Sequence, residues 1–148
     1  MHALVGSQLL AATERLATAA TAIRVSLHVL AATIWVGGQL TVAGLLSTVR
    51  KLGDGAPRAV ARAFGRLQWP AFVVLVATGL WNVAAVHANS QSSAWNTVLA
   101  VKIVVVALAG LAAYLHQRSR SKAGLAAFGG LAGLASIAAL VLGVVLAG

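Results

Sequence analysis

Four stretches of this chain stay apolar for about as long as a helix needs to cross a bilayer. That limits the fold more than any motif does. A spanning helix takes about 20 residues at about 1.5 Å each. The runs lie at about Val25 to Val49, Trp69 to Val86, Thr97 to His116 and Leu125 to Leu146. Backbone polar groups in hydrocarbon must satisfy one another, so the expected fold is all-α, an integral membrane four-helix bundle. Composition agrees, with 60% hydrophobic residues, 9% charged and a mean hydropathy of +0.92. Residues 1–24 read as a short N-terminal interfacial helix and 25–148 as the four-helix domain. The opening lacks the basic start of a cleaved leader.

The charge is placed where a membrane protein needs it. A net charge of +9 would suit nucleic acid, but the basic residues sit between the apolar runs, so no nucleic-acid partner is expected. Arg50, Lys51, Arg58, Arg62 and Arg66 follow the first run, and Arg118, Arg120 and Lys122 follow the third. Ala88 to Asn96, after the second run, carries no Lys or Arg. By the positive-inside rule both basic loops face the cytoplasm and both termini lie outside. The expected location is the plasma or inner membrane, multi-pass. Within the first loop, Arg58, Arg62 and Arg66 stand at i, i+4, i+8. They form the basic face of an amphipathic cytoplasmic loop helix, suited to anionic headgroups. Pro70 is expected in the first turn of the second span, where proline is tolerated.

The polar residues inside the spans carry the functional information. His28, Ala32, Trp35 and Gln39 share one helical face, and a polar stripe on an apolar helix points at protein or a cavity, not at lipid. Gly37 and Gly38 beside it allow close approach of a backbone or a flat ligand. Thr78 and Asn82 share a face on the second span, and Lys102 lies about 7 Å into the third. His28, Trp35, Gln39, Thr78, Asn82 and Lys102 are expected to face the interior. His28 is either a ligand or a neutral imidazole bonded to a backbone carbonyl or to Asn82. Lys102 either serves a site or snorkels to the interface. His87, near the outer end of the second span, is the candidate second ligand, although it is rotated off the Asn82 face. His116 stands alone at the cytoplasmic end. The fourth span holds no ionisable residue, and its Gly129-x-x-x-Gly133 suits a packing scaffold.

Two histidines at one depth allow axial ligation of a heme, with Trp35, Gly38 and Lys102 lining its place, or a copper site at His28 and His87. The chain has no cysteine, and Met1 is its one methionine, so the soft ligands that Cu(I) favours are missing. No catalytic residue set stands out.

HVLAATIWVGGQL, ARAFGRLQWPAFVVLVATGLWN and LAVKIVVVALAGLAAYLH together resemble the membrane domain of CopD-type copper resistance proteins, from Arg24 to the end. The most specific matches are His28 with Trp35-Val36-Gly37-Gly38, Phe64, Thr78-Gly79, Lys102 and His116. His28 and Lys102 are also similar, more distantly, to the histidine and lysine of HemJ-type heme proteins. The resemblance implies copper handling, as binding or transport across the inner membrane beside a periplasmic copper chaperone. The HemJ likeness implies a membrane oxidoreductase with heme b. A third expectation is a non-catalytic subunit, in a homo-oligomer or a larger membrane complex.

Overall fold

The computed structural model describes residues 18–86 and 91–148, all in helices and short turns. Helix α1 (Ala19–Ala32) runs through a π-helical segment (Thr33–Gly37) into α2 (Gly38–Lys51). Together they form one span, Ala19–Lys51. Helices α3 (Ala56–Ala85), α4 (Ser93–Arg118) and α5 (Lys122–Ala147) are the other three. All four are long and apolar enough to cross a bilayer. Large aliphatic side chains such as Leu134, Val144, Leu80 and Val73 remain exposed around them. In water that surface would be untenable; in lipid it is ordinary. The chain is a multi-pass membrane protein.

Local chemistry sets the helix ends. Thr18, Ser92 and Ser121 cap α1, α4 and α5, their hydroxyls accepting from the amides of Thr21, Trp95 and Gly124. Between α2 and α3 the chain turns on Gly53 at φ 120°, a conformation that disfavours side chains with a Cβ.

Two boundaries differ from the sequence reading. The first helix begins at Ala19 and takes in Arg24, which is buried. The expected boundary after residue 24 therefore falls within the helix, and the rest of the N-terminal segment lies outside the described residues. The amphipathic loop helix is also not separate. It runs unbroken into the second span as the 30-residue α3, with Pro70 in the interior. Proline there removes one amide from the ladder. Pro70, Arg66 and Leu67 are all exposed, so the disturbed turn does not face the packed core. At about 1.5 Å per residue α3 is about 45 Å long. The hydrocarbon core is about 30 Å thick, so the Arg58–Arg62–Arg66 stripe projects beyond it along the axis rather than lying flat.

The bundle is two helical hairpins. The first span packs on α3, and α4 packs on α5, with Ala109, Ala112, Ala113, Ala132 and Ala135 buried, small residues that bring the backbones together. The hairpins join around Trp35. Its indole packs on Phe72 at 4.3 Å between ring centroids and on Trp69 at 5.9 Å. Phe72 lies over Gly110. Trp69 Nε1 donates to Gln117 Oε1 at 3.0 Å. These joints occupy the middle of the bundle and the half nearer the basic loops.

Candidate functional site

In the other half, α1 and α3 run antiparallel and exchange polar contacts in strict register. Arg24 Nη1 donates to the Asn82 carbonyl at 3.3 Å. Four residues on along α1, His28 Nδ1 meets Thr78 Oγ1 at 2.9 Å, four residues back along α3. The spacing of 4 on both helices keeps both rungs on one contact face. The His28 ring lies against Gly79, where a Cβ would be in van der Waals contact with Cε1 at 3.4 Å.

The second rung favours one tautomer. The Thr78 hydroxyl lies 2.6 Å from the Val74 carbonyl and 3.2 Å from that of Leu75, and carbonyls only accept. Its single proton is therefore committed to its own helix. What Thr78 offers His28 is a lone pair, so Nδ1 carries the imidazole proton. Nε2 is left with its lone pair, the arrangement of a histidine oriented to bind a metal. Thr78 was not among the partners expected, and the Asn82 carbonyl is taken by Arg24 instead.

Lys102 enters from the other hairpin. Its chain is half-buried and turned inward along α5, so that a Cβ on Gly143 would lie 2.9 Å from Nζ. His28, Thr78, Asn82 and Lys102 thus come to one half of the molecule, each buried or half-buried. His87 lies outside the described residues.

Trp35 and Gln39 belong to a different contact. Trp35 is 2% exposed, and its Nε1 donates to Ser136 Oγ at 2.8 Å, while Gln39 Nε2 donates to the same oxygen at 3.3 Å. The π segment begins after the first set and contains Trp35 of the second. Its wider i→i+5 turn rotates α2 relative to α1. The stripe that begins against α3 with Arg24 and His28 therefore ends against α5 with Trp35 and Gln39. Thr33 and Thr41 bracket the segment, their hydroxyls donating to the carbonyls of Val29 and Gly37 at 2.9 and 2.8 Å. The space at Gly38 holds the Phe64 ring. His116 Nδ1 bonds the Leu125 carbonyl at 2.9 Å, and its ring lies on Gly129. That places it as a clasp between α4 and α5. Gly133, the second glycine of that motif, has no such neighbour.

Sequence reasoning missed Arg24. The signal was present, because Arg24 precedes His28 by one helical turn on the stripe already singled out. Ser136 was also missed. One hydroxyl among many small residues on a uniformly apolar helix gives no periodic signal.

A donor-set test separates the two expected metal centres. Among the described residues no three of His, Cys, Asp and Glu come together. Among the described residues, the half around His28 offers one imidazole nitrogen, with a guanidinium and an ammonium in the same half. A bare copper ion needs several donors and is repelled by neighbouring cations, so the described donors alone do not complete a site for it. A heme iron brings four ring nitrogens and two carboxylates of its own, and one protein nitrogen with nearby positive charge suits it. No protein-family model, curated protein or solved structure matches this chain.

Proposed function

We propose that this four-span protein holds a heme b-type centre on His28, in the half of the bundle away from its basic loops. The observation that carries the reading is the Thr78 hydroxyl bond. It leaves His28 Nε2 as an oriented lone pair inside an apolar bundle. Lys102 supplies compensating positive charge for an anionic macrocycle, a use that explains an ammonium kept within a span at a cost. When bound, heme would supply one-electron redox chemistry. The chain's own part is to hold Nε2 in place, keep water from it with the surrounding aliphatics, and place cations beside it. Trp35 and Gly38, expected to line the cofactor, act in this reading as the hinge pin between hairpins.

Copper handling beside a periplasmic chaperone, which the CopD resemblance implies, would need further donors around His28. His87 is the sequence's one candidate for that. Loop charge puts the site on the side away from the cytoplasm, with the plasma or inner membrane as the location.

The test is loading of the purified protein in detergent with heme b and, separately, with Cu(II). The expected result is one heme per chain with a histidine-ligated spectrum, lost in His28→Ala, and weak copper binding that His28→Ala barely changes. Tight copper binding lost in His28→Ala would overturn the heme reading in favour of copper. Unchanged heme binding by His28→Ala would remove His28 from the site.

A further inference from the structure

The two hairpins end at different heights on the side of the basic loops. Gln117, next to last in α4, meets α3 at Gly65 and Trp69. Trp69 Nε1 donates to its Oε1 at 3.0 Å, and a Cβ on Gly65 would lie 3.5 Å from its Nε2. The chain then leaves α4 at Arg118 and enters α5 at Lys122. Beyond this level α3 still has Ala56 to Phe64, about 13 Å of helix at about 1.5 Å per residue. The first hairpin therefore overhangs the α4–α5 turn.

Helical rotation says what the overhang presents. At about 100° per residue, Arg58, Arg62 and Arg66 stand about 20°, 60° and 100° around α3 from Gly65, and Trp69 about 40°. The side of α3 that meets Gln117 thus carries Arg58 and Arg62 where α4 has stopped. Arg118, Arg120 and Lys122 occupy the turn beneath, and all six of these residues are exposed. Among the described residues the one acidic group is Asp54, in the turn before α3. Like charges from two hairpins around one step repel each other, and a shared anion relieves the repulsion.

The height of the step identifies the anion. The Arg118 guanidinium turns back along α4, 5.1 Å from the ring centroid of Tyr114, which is exposed. Trp69, Tyr114 and an arginine near one level match the aromatic and cationic belt of a bilayer surface. Headgroups extend about 5–8 Å outward from the hydrocarbon. Arg62 stands about 6 Å beyond Arg66 along the axis. Both, with Arg118, fall in the layer of lipid phosphates, while Arg58 stands farther out and Arg50 and Lys51 end α2 at the tip.

We propose that this step binds the phosphate of an anionic phospholipid, held by Arg62 and Arg66 from one hairpin and Arg118 from the other. The planar guanidinium fork matches phosphate oxygens. The lipid ties the hairpins together at the end where Trp69 bonds Gln117. The sequence suggests headgroups for a stripe lying flat; upright, the stripe gains a second wall from α4. This site is separate from His28 and does not depend on the heme reading.

The test titrates the full chain in detergent with fluorescent-tailed phosphatidylglycerol and, separately, phosphatidylcholine, whose headgroup cancels its own phosphate charge. Wild type should bind phosphatidylglycerol about tenfold or more tightly, the scale of a charge-assisted hydrogen-bond pair, and the preference should shrink with salt. Arg62→Gln with Arg66→Gln should lose most of the preference, and the Lys pair at the same positions should keep part of it. Arg118→Gln alone should lower it. Arg50→Gln with Lys51→Gln removes equal charge from the tip and should leave it nearly intact. Unchanged thermal unfolding of the Gln variants in detergent without added lipid shows that they are folded. Equal binding of the two lipids by wild type overturns the site. So does an equal loss in the tip and step variants, which would mean diffuse charge only, or no effect of Arg118→Gln, which would confine binding to one hairpin. Displacement of the lipid by inorganic phosphate or by a short single-stranded DNA at lower concentration than phosphatidylglycerol itself would overturn it in favour of a soluble anion.

Discussion

Thr78 decides what His28 can be. Threonine hydroxyls inside helices commonly bond a carbonyl one turn back, and that habit turns a two-way group into a pure acceptor for the imidazole. Thr78→Val keeps the shape and removes the acceptor. Heme affinity should fall about 10–100-fold, the usual effect of losing a ligand's orienting partner, and Thr78→Ser should restore most of it. Equilibrium titration of the three proteins checks this. Affinity unchanged in Thr78→Val would mean that the tautomer is set elsewhere. His116 is governed by the same kind of local fit. A Cβ at Gly129 would come within 2.9 Å of its Nδ1, so Gly129→Ala should destabilise the protein by about 1–3 kcal/mol. In a His116→Ala background the same change should cost clearly less, the non-additivity that contact implies. Thermal unfolding in detergent gives the comparison. Of the site residues, the sequence made His28, Thr78 and Lys102 legible because lipid tolerates few polar groups. Which partner each would choose depends on the register between helices, and a single chain's pattern does not state it.

At the scale of elements, the π segment lets one helix serve two neighbours. Before it Arg24 and His28 bond α3; Trp35, within it, and Gln39, after it, bond Ser136 on α5. Deleting Ile34 should return the segment to α-helical register and leave the two sets competing for one rotation. The expected outcome is a large loss of thermal stability together with weakened heme binding. A deletion protein as stable as wild type, with both properties intact, would show that the segment is incidental. Helical periodicity predicted one continuous face from His28 to Gln39, and the residues on it are indeed inward. The extra residue in the turn was illegible because it answers to packing between helices. Pro70 was misplaced for a related reason. Proline in a first turn and proline on an exposed face of a longer helix leave the same trace when only the downstream apolar run is counted.

The whole molecule was the most legible level, since hydrocarbon leaves backbone groups few ways to be satisfied and the four apolar runs mark the solution. The hairpin pairing was less so. It rests on small residues along α4 and α5 and on the aromatic cluster at Trp35, none of which hydropathy weighs. Orientation follows from the basic loops and can be read with single cysteines at exposed, non-capping positions, Ser93 and Arg120. In intact cells an impermeant thiol reagent should label Ser93→Cys and spare Arg120→Cys; the reverse pattern inverts the molecule and moves the His28 half to the cytoplasmic side. The most direct measurement is the reduced-minus-oxidised absorption spectrum of membranes containing the full chain, set against His28→Ala at equal protein level. The account predicts a b-type heme difference spectrum that scales with the wild-type protein and vanishes in His28→Ala. A spectrum with no heme signal above the empty membranes, or one that His28→Ala leaves at full size, would contradict it.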